Sequence, residues 1–410
     1  MFLENRFQRA LNRVYARAAI PIPVRIELWD GRRFDLAPDP TVTIAIPRLS
    51  ALRYFISPDL NKLGEAFVEG HIQVKGSIHD IFNVAARLAQ VATDRARARL
   101  HRVARHTRER DRAAIAHHYD VSNDFYALFL DRNMVYSCAY YRNGNDSLET
   151  AQTQKLDHIL RKLAVKPGER LLDIGCGWGA LIRRAASEYG AVATGITLSK
   201  NQFEYARERI HAEGLQDRCR VQLLDYRDVQ GEGTFDKITS VGMFEHVGLK
   251  NLPEYFAKIR SLLKDSGLVL NHGITTSDID SRWMGLGAGE FIDRYVFPEG
   301  ELPHISLVLK EMSAAGLEVT DTESLRRHYA RTCHAWASAL ESNGERALRE
   351  GGEKRARIWR IYLAGCAYGF ANGWMNVYQI LACKAGITGG YPLPLTREYM
   401  YEQRPALRAS

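Results

Sequence analysis

Three short runs near the start of the chain alternate apolar and polar residues: Val24-Arg25-Ile26-Glu27-Leu28-Trp29, Arg33-Phe34-Asp35-Leu36 and Val42-Thr43-Ile44-Ala45-Ile46. A period of two turns one face of each run toward a core, so each predicts a strand, with Asp30-Gly31 turning the first into the second. Before them, Phe2 to Ala18 has helical spacing, with Phe2, Leu3, Phe7, Leu11 and Val14 on one face and Arg6, Arg9, Arg13 and Arg17 elsewhere. Such a helix ordinarily covers a core; lying on a membrane is the other reading. Leu60 to Glu69 predicts a further helix and Gly70 to Gly76 a short strand, while Leu63 to Gly70 carries no chemistry of its own. These elements make a small α+β unit over residues 1–92.

From Arg170 onward the pattern changes. Apolar runs at Arg170–Ile174, Val192–Thr197, Val221–Asp225, Phe235–Val241 and Leu268–Ile274 are separated by helical stretches such as Ala180–Ala186. Strands apolar on both faces and alternating with helices predict an α/β fold with a mostly parallel, doubly wound sheet, whose site lies at the carboxyl ends of the strands. A helix is expected from Trp359 to Gln379. That helix, with Phe291 to Phe297, is rich in aromatic and small residues, which suit either a substrate wall or a plain core.

Composition narrows the picture in two ways. The chain carries a net charge of +8, and Arg95, Arg97, Arg99, Arg102, Arg105, Arg108, Arg110 and Arg112 crowd one stretch. Few aromatics interleave them, which argues against single-stranded nucleic acid and leaves a solvated linker over 93–115 or an anionic lipid surface. The six cysteines show no metal-ligand spacing, and adjacent His117-His118 point different ways, so no metal is expected. Neither a signal peptide nor a bilayer-spanning run is evident, so a cytoplasmic protein that meets lipid from outside is expected.

The chemistry centres on Asp173-Ile174-Gly175-Cys176-Gly177-Trp178-Gly179, a strand that ends at an acid and opens through alternate glycines into a helix. GxGxG in place of GxGxxG fits a ligand with no pyrophosphate to seat, and its form resembles the first motif of S-adenosylmethionine-dependent methyltransferases. Thr197, with Gln202 five residues on, stands where nucleotide-binding folds often put an acid for the ribose. Glu245 and His246 follow the fourth strand and His272 lies in the next, at the edge suited to proton chemistry.

Taken in order, HYDxSNDFY at His118–Tyr126, YSCAY at Tyr136–Tyr140, LDIGCGWG, GITLSxxQ at Gly195–Gln202 and GMFEHVG at Gly242–Gly248 resemble the cyclopropane fatty acid synthase family, including the mycolic acid cyclopropane synthases. The likeness spans Ala116 to Val377, and the N-terminal unit is similar to that of the phospholipid-modifying bacterial members. The resemblance implies a Rossmann-like class I methyltransferase domain over 116–410 with S-adenosylmethionine as cofactor. It assigns cofactor contacts to Tyr136, Ser137, Asp173, Gly175, Gly177, Thr197, Gln202, Asp225, Tyr226 and Arg227. It assigns a bicarbonate pocket to Cys138, Glu245, His272, the backbone of Ile274, and Tyr329.

The implied reaction adds a methylene across the cis double bond of an unsaturated phospholipid acyl chain, giving a cyclopropane; a methyl-branched or methylene product is the alternative. The implied setting is an anionic membrane surface, peripheral to its inner face, with no nucleic acid and with a homodimer left open. A non-catalytic lipid carrier and a nucleic-acid methyltransferase are the competing classes. The segment Thr275–Gly289 reads as a lid or a solvent loop, and the tail after Gln379 has no assigned role.

Overall fold

The computed structural model describes residues 2–17, 21–56, 60–92, 122–281, 288–297, 300–386 and 393–402. The arginine run, His117-His118 and the middle of the Thr275–Gly289 segment lie outside these residues.

The N-terminal unit holds a four-stranded sheet in the order β2-β1-β3-β4, with β1 at Val24–Leu28, β2 at Arg33–Asp35, β3 at Val42–Ile46 and β4 at Gln73–Lys75. Burial alternates along β1 and β3 as the period of two requires. The helix Phe2–Arg17 buries Phe7 and Leu11 in the same core as Ile26 and Ile44, so it packs within the unit.

The larger sheet has seven strands in the order β10-β11-β9-β8-β5-β6-β7. They are β5 (Arg170–Ile174), β6 (Val192–Thr197), β7 (Cys219–Leu223), β8 (Phe235–Val241), β9 (Leu263–Thr276), β10 (Leu317–Ser324) and β11 (Met375–Lys384). From β9 to β7 neighbours run parallel, whereas β11 is antiparallel to both β9 and β10. Successive residues feed different cores: Leu171, Leu268, Leu270 and Leu381 join one cluster, Leu172, Val269, Ile380 and Ala382 the other. Each face therefore has its own covering layer, and the strands read as unbroken apolar runs for that reason. The chain leaves β5 for β6 on one side and reaches β8 on the other, which opens a crevice at the carboxyl end of β5.

Two expectations need correction. The third strand ends at Leu223, so Asp225 lies beyond it as the cap of a short turn. The helix expected through Gln379 stops at Ala371; Gly373, at a φ of 76°, turns the chain, and Met375 begins β11. Left-handed geometry at Gly373 ends the helix, and residues 375–379 then alternate in burial as a strand does.

The N-terminal unit docks along the helix Gly344–Ala371. Glu69 pairs with Lys354 at 2.8 Å and Glu65 with Arg294 at 3.1 Å, while His79 stacks on His334 with ring centroids 3.7 Å apart. The tail past Gln379 completes β11 and then closes on β10 and the helix Leu148–Lys162: Arg397 pairs with Asp321 of β10 at 2.7 Å, and Arg161 of the helix donates to the carbonyl of Met400.

Candidate active site

At the end of β5 the amides of Gly175 and Cys176 both donate to the carbonyl of Ile196, which folds the turn back beside β6. Gly175, Gly177 and Gly179 all take left-handed φ. A Cβ at Gly175 would run into Met243, whereas one at Gly177 meets nothing within 4 Å. Gly177 thus presents bare backbone to open space. The clasp behind the turn comes from distant motifs: Ser122 caps the short helix Asn123–Tyr126, and Asn123 accepts the indole N–H of Trp178 at 2.8 Å.

That open space is a cavity of about 120 Å³, lined by Tyr136, Ser137, Asp173, Gly175, Gly177, Thr197, Gln202 and Tyr226 among others. Thr197 donates to the amide oxygen of Gln202 at 2.8 Å, and Ser199 caps the helix Lys200–Ala212 that carries Gln202. The amide NH2 of Gln202 keeps its donors for other partners, so this pair supplies the polar edge that an acid supplies elsewhere. Asp173 accepts from Thr239 at 2.7 Å, and burial pushes its carboxyl up to about 6. Lys155 lines the same cavity and donates to Ser137 at 2.9 Å; burial lowers it to about 8.

Asp225 and Arg227 do not line this cavity. They pair with each other at 2.7 Å, and Asp225 also accepts the amide of Arg227, so they brace the turn that presents Tyr226.

A second cavity, of about 100 Å³, shares Tyr136, Ser137, Gly242 and His246 with the first. It collects Glu245, His272, Ile274 and Tyr329 from the segment after β8, from β9 and from the helix Arg326–Ser342. The Ile274 amide donates to Oε1 of Glu245 at 2.6 Å, so that amide acts through the carboxylate. Oε2 of Glu245 and Nε2 of His272 are buried without a hydrogen-bond partner. Burial raises Glu245 to about 7 and lowers His272 to about 3, so the imidazole is neutral at physiological pH. Burial also holds the Tyr329 phenol far above its ordinary value.

Cys138 is placed differently. Its thiol is fully buried, points at the carbonyls of Ala139 (3.3 Å) and Leu325 (3.7 Å), and does not line the cavity. Burial raises its pKa and keeps the thiol protonated, with these two carbonyls as its contacts.

Sequence reasoning missed two polar groups. Lys155 lies on a helix whose polar positions look solvent-facing, and Gln379 lay in an expected helix. As part of β11, Gln379 sits opposite His272, its amide nitrogen 3.3 Å from Nδ1. With that amide donating to Nδ1, the ring proton falls on Nε2, the ring nitrogen that has no hydrogen-bond partner.

The family model for mycolic acid cyclopropane synthetase matches residues 106–380, and one for a domain of unknown function (DUF7884) matches residues 13–96. A probable fatty acid methyltransferase of Pseudomonas putida is 50% identical over 387 residues, 94% of this chain and 98% of that relative. The tuberculostearic acid methyltransferase UfaA1 of Mycobacterium tuberculosis is 33% identical, covering 92% of this chain and 91% of its own. Among solved structures, the mycolic acid cyclopropane synthase CmaA1 complexed with SAH and CTAB superposes with a TM-score of 0.63 at 36% identity, over 67% of this chain and 98% of that one.

Proposed function

The chain belongs to the mycolic acid cyclopropane synthetase family and is an S-adenosylmethionine-dependent methyltransferase of class I fold, and from that premise we propose that it alkylates the cis double bond of an unsaturated phospholipid acyl chain. One observation carries the reading: a cavity edged by Asp173, Thr197 and Gln202 meets an aromatic cavity across Tyr136, Ser137, Gly242 and His246, with two unpartnered polar atoms in the second.

S-adenosylmethionine, when bound, supplies an electrophilic methyl group. Tyr136, Ser137, Asp173, Gly175, Gly177, Thr197, Gln202 and Tyr226 would hold it, with Asp225 and Arg227 bracing Tyr226. An isolated alkene is a weak nucleophile, so the residues shared by both cavities have mainly to align the reacting atoms and exclude water. Tyr136, Trp336 and Phe297 line the second cavity, and an aromatic face turned to the substrate would favour the positive charge that methylation leaves on it. Loss of a proton from the new methyl group lets its carbon bond to the cationic carbon and close the ring.

The residues fit a bicarbonate ion as the base for that proton: Glu245 Oε2, neutral His272 Nε2 and the Tyr329 hydroxyl would hold it, and Ile274 would fix Glu245. Cys138 would support the wall of this site through its backbone and packing.

Loss of a proton from a neighbouring carbon gives a methylated alkene instead of a ring. The relatives matched over nine-tenths of the chain are named methyltransferases, which favours this second reading.

The arginine run Arg95–Arg112 and the net charge of +8 support an anionic membrane as the place of encounter. Among the described residues no helix is long and apolar enough to cross a membrane. Mass spectrometry of lipids from cells expressing the chain tests the reaction. A gain of one CH2 is expected, and NMR then separates ring from branch; an unchanged lipid profile would overturn the proposal.

A further inference from the structure

We propose that the N-terminal unit forms the far wall of the acyl-chain channel, so that the methyl-terminal segment of the substrate runs out of the catalytic cavity and ends against this unit. The inference rests on the reading of the substrate as a lipid acyl chain.

A third cavity, of about 170 Å³, lies between the two units. Ile44 of β3, Phe67 of the helix Leu60–Val68 and Phe82 of the helix Ile78–Ala92 form one side. Phe291 and Ile361 form the other. Ile292, Tyr362, Cys366 and Met375 line both this cavity and the one holding Glu245 and His272, so the two abut with only these side chains at their boundary.

The chemistry of the lining selects the occupant. Among the described residues, no side chain around the third cavity carries a charge. Apart from Asn61, Tyr362, Tyr368 and Trp374 the lining is apolar, so an ester or a headgroup there would find few partners for its oxygens, whereas a hydrocarbon tail loses nothing. Small residues set the bore: a Cβ at Gly365 would come within 3.1 Å of the Phe82 ring, and one at Gly64 within 3.4 Å of Phe291. Protein interiors are close-packed, and an apolar void of this size between two units is costly unless something apolar fills it. The stretch Leu63–Gly70 thereby acquires a role: Leu63, Gly64 and Phe67 face the cavity, while Glu65 and Glu69 pair with Arg294 and Lys354 across the same interface. The depth of this cavity then limits how many carbons can follow the double bond.

The test uses the full chain and a series of phospholipids whose cis double bond is followed by progressively longer methyl-terminal segments. Ala85→Phe narrows the cavity at the helix Ile78–Ala92. It is expected to lower kcat/KM for the longest tails about tenfold relative to the shortest. Phe82→Ala is expected to move the optimum toward longer tails. If the wild type alkylates the series and both variants keep its tail-length profile, the inference fails. If the wild type alkylates none of the series, it is the proposed function that fails.

Because either variant risks misfolding, a phospholipid with a diazirine at its methyl end gives a second reading on the unaltered protein. Crosslinks to peptides holding Phe67 and Phe82 are expected, and crosslinks confined to the seven-stranded domain would overturn the proposal.

Discussion

The amide of Ile274 holds one oxygen of Glu245 at 2.6 Å, while the other oxygen of the same carboxylate is buried with no hydrogen-bond partner. One half of the carboxylate is fixed by backbone, and the other half is left without a partner in a residue that lines the cavity. Glu245→Gln keeps the size and replaces an acceptor by a donor. Single-turnover rate is expected to fall about a hundredfold or more. SAH affinity by calorimetry should stay close to wild type, and added bicarbonate should restore part of the rate. A normal turnover in this variant would remove Glu245 from the proton route.

Glu245 also predicts a pH dependence of stability. Burial raises it from 4.5 to about 7, so across that window the folded state retains a proton that the unfolded state has lost. Its stabilising contribution is complete below 4.5 and disappears as pH rises through about 7, with an upper bound of about 3 kcal/mol. Relative to wild type, the Tm of Glu245→Gln should therefore climb from acid to neutral pH and then level off. A constant Tm difference across that range would contradict the buried, raised carboxyl.

Lys155 and Asp173 line the same cavity at the end of β5, and the positive charge of the lysine opposes the burial that raises the carboxyl. Lys155→Met should let Asp173 rise further. If ionised Asp173 binds the cofactor, affinity in the variant should begin to fall at a higher pH than in wild type. Calorimetric Kd values measured against pH check this, and superimposable profiles would separate the two residues.

Gly177→Val places a side chain where nothing stands within 4 Å and strains a φ of 55°. Cofactor affinity should drop about a hundredfold or more while the chain still folds, since the strain alone costs only about 1–2 kcal/mol. Near-normal SAH binding would exclude this turn from the site.

Neutralising Arg99, Arg102, Arg105 and Arg108 should weaken co-sedimentation with anionic vesicles and flatten its salt dependence, because exposed charges are screened over about 8 Å at physiological ionic strength. Unchanged vesicle binding would favour a plain linker.

What was legible had a local signal: alternation announced β1 and β3, and three glycines after β5 announced a strand-to-helix turn of left-handed backbone that borders the cavity. What stayed hidden is long-range. Gln152, Lys155, His158 and Lys162 occupy polar positions of the helix Leu148–Lys162 yet are buried, because Val135, Ser137 and β10 cover them and supply their partners. Gln379 gained its place beside His272 only through pairing of β11 with β9, more than a hundred residues apart. The direction of the Cys138 thiol was equally hidden: Tyr136 and Ser137 before it line the cavity, while its own side chain contacts the carbonyls of Ala139 and Leu325.

The position of β11 also governs the order in which the molecule can assemble. β10 is made before β11 and pairs with nothing else in the sheet, and β9 waits for the same strand on its open side. During N-to-C synthesis, a nascent chain that has reached β10 has two unmatched strand edges, and they join only when residues 375–384 slide between them. Until then Val269 and Leu270 border an open edge of the kind that recruits other chains. The same insertion that delivers Gln379 to His272 is therefore the last closure of the sheet, so the wall of the cavity behind His272 and the covering of the β9 edge arise in a single event.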